Sequence, residues 1–179
     1  MKDLAMHILD IIQNSVRAKA SCVELAIVER QKEDLFSIEI KDNGSGMTEE
    51  VLAKVCDPFF TTRSTRKVGL GLSLLKQNAE QTGGSLKIES EEGKGTSLKA
   101  VFTYSHLDRP DLGDIAGTMV LLVGANPEMD FLYTHISDKG KYVFDTKEIK
   151  EILEGVSVSD VEIMKYLKEM IEENLNTII

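Results

Sequence analysis

The stretch Asp42-Asn43-Gly44-Ser45-Gly46-Met47 decides how this 179-residue chain is read. It directly follows residues 36–40, where Phe36, Ile38 and Ile40 alternate with polar residues as in a half-buried strand. It precedes Thr48, whose hydroxyl suits a helix N-cap, and Glu49 and Glu50, which suit the positive end of a helix dipole. An Asn-Gly pair after a strand ordinarily marks a hairpin turn, but here the next segment reads as a helix and not as a strand. Gly44 and Gly46 let the backbone lie flat against a planar base. Beside them Asp42 offers a carboxylate that only accepts hydrogen bonds. It can take one from an exocyclic amine such as N6 of adenine, and it repels the oxygen that guanine presents there.

Upstream, Leu4, Ile8, Ile11, Ile12, Ser15 and Val16 follow the helical period over residues 4–18. Residues 22–28 alternate at Val23, Leu25 and Ile27 like a second strand, and the polar segment 29–34 would join it to the first. On the helix His7, Asp10, Asn14 and Arg17 are spaced 3, 4 and 3. At 3.6 residues per turn they fall within roughly 80° of arc, lining up an imidazole, a carboxylate, an amide and a guanidinium. The plain reading of such a stripe is the solvated side of an amphipathic helix; its pairing with the glycine motifs gives it a functional one.

Downstream, the helix begun by Thr48 should end near Cys56, because Asp57-Pro58 breaks it. Residues 61–68 are polar and basic without periodicity, and include Arg63, Arg66 and Lys67. Gly69-Leu70-Gly71-Leu72-Ser73 opens a helix over 69–81, stopped by Gly83-Gly84. Backbone N–H groups and the positive dipole end at such a start suit phosphate, although an ordinary helix start has the same appearance. Neither a P-loop nor a Rossmann fingerprint is present. Residues 86–90 and 97–103 alternate like two strands around a 91–96 turn.

After Tyr104 the character changes. Residues 105–116, with Pro110, Gly113 and several Asp, read as a linker. Residues 119–123, 130–135 and 141–144 read as three short strands, and 146–153 and 159–174 as helices. Val161, Met164, Leu167, Met170 or Ile171, and Leu175 make an apolar stripe on the last helix. Core packing is its plain reading and a partner or dimer face the alternative.

Composition bounds the function. Hydrophobic residues make up 42% and charged residues 28%, which describes an ordinary globular chain. The net charge of -9 argues against general nucleic-acid binding. That charge is uneven: residues 1–105 are nearly neutral at -1, whereas 106–179 carry -8. A nearly neutral region with a local basic run can host an anionic ligand. No secretory signal or bilayer-spanning apolar run is readable, so a cytoplasmic location without membrane contact is expected. Cys22 and Cys56 lack metal-site spacing and read as two reduced thiols.

Taken in order, these segments resemble the histidine-kinase-like ATPase superfamily, with the Bergerat ATP-binding fold. HILDIIQNSVRA at 7–18 looks like its N-box, DNGSGM at 42–47 its G1 box, and DPFFTT at 57–62 the F-box of histidine kinases. GLGLS at 69–73 looks like the G2 box, and GKGTSL at 93–98 the final G-T strand. Each is weak singly; five in order and at matching spacing are specific. They favour the catalytic domains of sensor histidine kinases and anti-sigma-factor kinases. The implied fold is α+β, a two-layer α/β sandwich whose mixed sheet is covered by helices on one face. Residues 1–104 would form the ATP-binding domain, 105–116 a linker and 117–179 a C-terminal α/β extension.

The resemblance also implies roles, with ATP and Mg²⁺ as cofactors. Asn14 would coordinate the metal ion through its amide oxygen. Asp42 would hold the adenine amine, with Thr96 helping through a water, and Gly44, Gly46 and Met47 would line the base pocket. Arg17 and Arg63 or Lys67 would reach phosphates, with Gly69, Leu70, Gly71 and Leu72 supplying backbone donors. Asp10 stands where hydrolytic and serine-kinase branches carry a Glu base. It has the right chemistry but is one methylene shorter, and such a displacement can cost about 10²-fold in rate. No phosphoacceptor helix pair is expected before the N-box, and His7, His106 and His135 lie in no phosphoacceptor-like sequence. The expectation is therefore a regulatory kinase acting in trans on an unidentified protein partner. The rivals are a non-catalytic ATP-dependent binding switch and a slow ATP hydrolase of the clamp type.

Overall fold

A computed structural model describes residues 2–60 and 70–179. Its elements run α1 Leu4–Arg17, β1 Cys22–Arg30, β2 Leu35–Asp42, α2 Glu49–Lys54, α3 Gly71–Gln81, β3 Ser85–Glu91 and β4 Gly95–Thr103. They continue α4 Ile115–Ala125, β5 Asp130–Ile136, β6 Lys141–Asp145, α5 Thr146–Ile152 and α6 Val161–Ile178. Six strands form one sheet in the order β3-β4-β2-β1-β5-β6. Only the β1–β5 pair is parallel, so the sheet is mixed.

Strand alternation explains the layering. Val23, Leu25 and Ile27 of β1, Phe36, Ile38 and Ile40 of β2, Leu98, Ala100 and Phe102 of β4, and Phe131 and Tyr133 of β5 are buried together. The alternate positions hold Glu39, Lys41 and Lys99, and Lys41 pairs with Glu39 at 2.8 Å on that open face. Against the buried face lie α1, through Leu4, Ile8, Ile11 and Ile12, and α3, through Leu75 and Ala79. Caps follow the sequence closely. Asp3 accepts from the Met6 N–H at 2.9 Å, and the expected Thr48 cap accepts from the Val51 N–H at 3.3 Å.

The C-terminal third continues this sheet. β5 pairs with β1 from Cys22↔Asp130 to Val28↔Ile136, and β6 adds the edge. Residues expected as strands at 130–135 and 141–144 are strands, but 119–123 are not. They lie inside α4, whose N-cap Asp114 accepts from the Gly117 N–H at 2.7 Å. The sequence IAGTMVLLVGA is apolar on nearly every side, so neither helical nor strand period shows in it; what decides is burial on several sides. The preceding loop is tied to α1. Asp111 and Leu112 carbonyls accept from the Leu4 and Ala5 N–H groups at 2.9 and 2.8 Å, satisfying donors that a helix leaves open.

On α6 the apolar stripe is core packing at Leu167, Ile171 and Leu175, with Ile178 continuing it, whereas Val161 is 77% exposed. Beside it the sheet buries a polar chain. Tyr133 Oη lies 2.6 Å from His135 Nδ1, and His135 Nε2 lies 2.8 Å from Glu29 Oε1. This chain joins β1 to β5 from inside, and burial pushes the Tyr133 phenol far above its ordinary range. Removing His135 leaves the Glu29 carboxylate buried without its partner and opens a cavity. His135→Ala should therefore lose about 3 kcal/mol of unfolding free energy, read by urea denaturation.

Candidate functional site

The end of β2 is fixed before any ligand enters. Asp42 Oδ2 accepts from the Ser15 hydroxyl of α1 at 2.6 Å, and Oδ1 accepts from the Gly44 N–H at 2.9 Å. The loop that follows is held from three sides. Its Ser45 N–H donates to the Ala18 carbonyl at 2.9 Å, and the Ser45 carbonyl accepts from the Gly93 N–H at 2.7 Å. Asn43 Oδ1 accepts from the Ser21 and Cys22 N–H groups at 2.9 and 3.0 Å, tying the loop to the start of β1.

These attachments explain the glycines. Gly46 has φ +66°, and a Cβ there would overlap the Glu91 carbonyl. Gly95, across the sheet, has φ +122° and presses on the Asp42 carbonyl. At Gly44 a Cβ would crowd Ala18 and the Asp42 carboxylate. Backbone packing against the β3–β4 turn and against α1 therefore requires glycine at these places irrespective of what lies in the cleft.

The loop forms one wall of a cleft of about 700 Å³, within the range of small-molecule sites. Asp10, Asn14 and Arg17 reach it from α1, and Asp42, Gly46 and Met47 from the loop. Thr96 reaches it from β4, and Leu70, Gly71 and Leu72 from the start of α3. Ile11, Ile40, Val51, Val55, Ile88 and Leu98 supply apolar surface, and Phe60 adds an aromatic side chain. Gly44 stands behind this wall and contributes its N–H to Asp42. Arg63, Lys67 and Gly69, with the rest of the 61–68 segment, lie outside the described residues.

Thr96 sits opposite Asp42 in the β2–β4 register and opposite Ser90 in the β3–β4 register. Ser90 Oγ donates to the Gly95 carbonyl at 2.9 Å and accepts from the Met47 N–H at 2.9 Å. A hydroxyl has one proton, so Thr96 is the donor in its 2.9 Å contact with Ser90. Elsewhere on the lining, no side chain among the described residues caps the first turn of α3. First-turn N–H donors and the positive dipole end meet there, the combination that favours an anion.

The charged edge is set by α1. Arg17 donates from Nη2 to Asn14 Oδ1. Among the described residues no group of three or more His, Cys, Asp or Glu could hold a metal ion. The donor set nevertheless fits magnesium in one way. A hard amide oxygen at Asn14 can supply one protein ligand where oxygens of an anionic ligand and water would complete the shell.

Ser15 is the functional residue that sequence reasoning missed. It was counted into the apolar period of the first helix, and it is buried at 2% exposure. The available signal was its adjacency to Asn14: a hydroxyl on the buried face needs a partner, and the nearest polar motif in the implied fold is the Asp42 loop.

Residues 2–107 match the family model for the histidine kinase-, DNA gyrase B-, and HSP90-like ATPase. The chain is 40% identical over 81 residues to the sensor kinase CckA of Brucella abortus, covering 45% of this chain and 9% of that protein. It is 30% identical over 118 residues to the sensor histidine kinase WalK of Bacillus subtilis, covering 62% and 19%. It therefore spans under a quarter of the length of either relative. Among solved structures, the MutL ATPase domain of Aquifex aeolicus complexed with ADP superposes with a TM-score of 0.50 at 18% identity, covering 86% of this chain and 70% of that one. An N-terminal domain of a DNA repair protein superposes at 0.57, also at 18% identity, covering 80% and 52%. At that identity the likeness is one of fold.

If Ser15 holds Asp42 in its acceptor orientation, Ser15→Ala should weaken ADP binding by about 5- to 20-fold, the loss of one hydrogen bond to a charged group. Asp42→Ala should abolish binding at millimolar ADP. Calorimetry on folded variants reads both.

Proposed function

Because the chain belongs to the histidine kinase-, DNA gyrase B- and HSP90-like ATPase family, we propose that this cleft takes ATP with Mg²⁺ and that the chain passes the γ-phosphoryl group to a protein partner in a signalling role. The single observation that supports this best is the polarity of the cleft. A carboxylate fixed by two donors lies among apolar side chains, and the same cleft is lined by a helix start with no side-chain cap among the described residues.

Each residue then has a task. The lone pairs of Asp42 not used by Ser15 and Gly44 accept from the adenine amine, and they select against guanine. Ile40, Ile88 and Leu98 keep water from the base, which strengthens that hydrogen bond. Leu70, Gly71 and Leu72 offer backbone donors to phosphate oxygens. Arg17 reaches the phosphates, and the Asn14 amide oxygen is offered to the metal ion. Magnesium, when bound, would neutralise phosphate charge. Asp10 orients the acceptor group and takes up its proton at a carboxylate oxygen.

A second reading has its own observation. Asp10 is one methylene shorter than the Glu of the catalytic branches, which favours a module that binds ATP and switches a partner without turnover. The wild type, with γ-labelled ATP and lysate, should move label onto another protein. Asp10→Ala should cut that transfer by at least about 10²-fold while ADP affinity stays within about threefold. Intact binding with no transfer by the wild type would reject the kinase and favour the switch.

A further inference from the structure

His7 opens the polar stripe of α1, three residues before Asp10 and seven before Asn14, yet it is buried at 1% exposure. What covers it is α3. Its Nε2 lies 3.3 Å from Asn78 Nδ2, and the Gly71 backbone lies close enough to favour a proton on the ring. Gly71 and Asn78 are seven residues apart, two helical turns, so they share the face of α3 that looks onto α1. The imidazole therefore bonds to a side chain of that face, two turns along the same helix from Gly71, which lines the cleft.

The ring's chemistry suits this bridge. Burial holds the His7 imidazole below its ordinary range, so the ring is neutral at pH 7 and carries one N–H and one lone pair. The Asn78 amide donates to Nε2, which leaves the proton on Nδ1, a nitrogen that closes no hydrogen bond among the described residues. An imidazolium in the same place would sit at the positive end of the α3 dipole. Leu at this position would fill the volume but join nothing, and α1 and α3 would keep only apolar contact to fix their register. That register sets the distance between Asp10 and Asn14 on one side of the cleft and the Gly71 end of α3 on the other.

We propose that His7 is a positioning residue for the phosphate end of the nucleotide site, holding α3 against α1 through Asn78. The proposal rests on the reading of the cleft as an adenine nucleotide site. It has a consequence that general packing does not share. The base is held by Asp42, Thr96 and the apolar wall, none of which shares a hydrogen bond with His7 among the described residues, so only ligands bearing phosphate should register its loss.

The test compares ADP with adenosine by calorimetry on the full chain, for the wild type, His7→Leu, His7→Gln and Asn78→Leu, with circular dichroism confirming the fold. Gln carries an amide near the position of Nε2 and keeps a partner for Asn78. His7→Leu and Asn78→Leu should each weaken ADP about tenfold and leave adenosine within about twofold, and His7→Gln should recover most of the ADP affinity. If His7→Leu does not fold, Asn78→Leu, which breaks the same contact from the other helix, decides with His7→Gln. Equal losses for ADP and adenosine, or no loss for either, would overturn the positioning role. A wild type that takes up neither ligand would instead remove the nucleotide reading itself.

Discussion

Everything at this site hangs on one carboxylate being held still. Asp42 ends a strand whose neighbours on both sides are strands, and it receives a hydroxyl from α1 and an N–H from its own loop. A free aspartate at a strand end would turn among rotamers and be solvated by water. Ser15 removes that freedom from the helix side, and Gly44 removes it from the loop side. The entropy of fixing the acceptor is spent in folding, so a ligand amine meets an acceptor that already points into the cleft.

The same constraint explains why the loop is so rich in glycine. The backbone that carries Asp42 is squeezed between the β3–β4 turn and the end of α1. Gly46 meets the Glu91 carbonyl, and Gly95 meets the carbonyl of Asp42 itself. A side chain at Gly95 would push β4 away from β2 and take Thr96 out of line with Asp42, and one at Gly46 would push the loop off the end of β3. Packing and recognition make the same demand on these residues, which is why a motif of only six positions carries so much of the fold.

The cleft joins two elements that have no covalent reason to be in register. α1 brings Asp10, Asn14 and Arg17, and α3 brings its N-terminal turn. Between them lie the buried imidazole of His7 on α1 and the amide of Asn78 on α3. Beyond the cleft, the parallel addition of β5 to β1 and the buried Glu29–His135–Tyr133 chain extend the same sheet under α4 and α6.

The linear chain by itself determined the strands of the ATPase region, the helix caps at Thr48 and the breaks at Asp57-Pro58 and Gly83-Gly84, because these depend on period 2, period 3.6 and local turn chemistry. It also pointed to Asp10, Asn14, Arg17, Asp42 and Thr96, which line one cleft, because helical spacing and acceptor chemistry are local properties. It could not determine that residues 119–123 are helical, since an element buried on several sides shows no periodicity. Nor could it place Ser15 beneath Asp42, 27 positions away, or His7 beneath α3. Those contacts exist only once α1 lies across the sheet, and a hydroxyl or imidazole on a buried face has no partner until the fold supplies one.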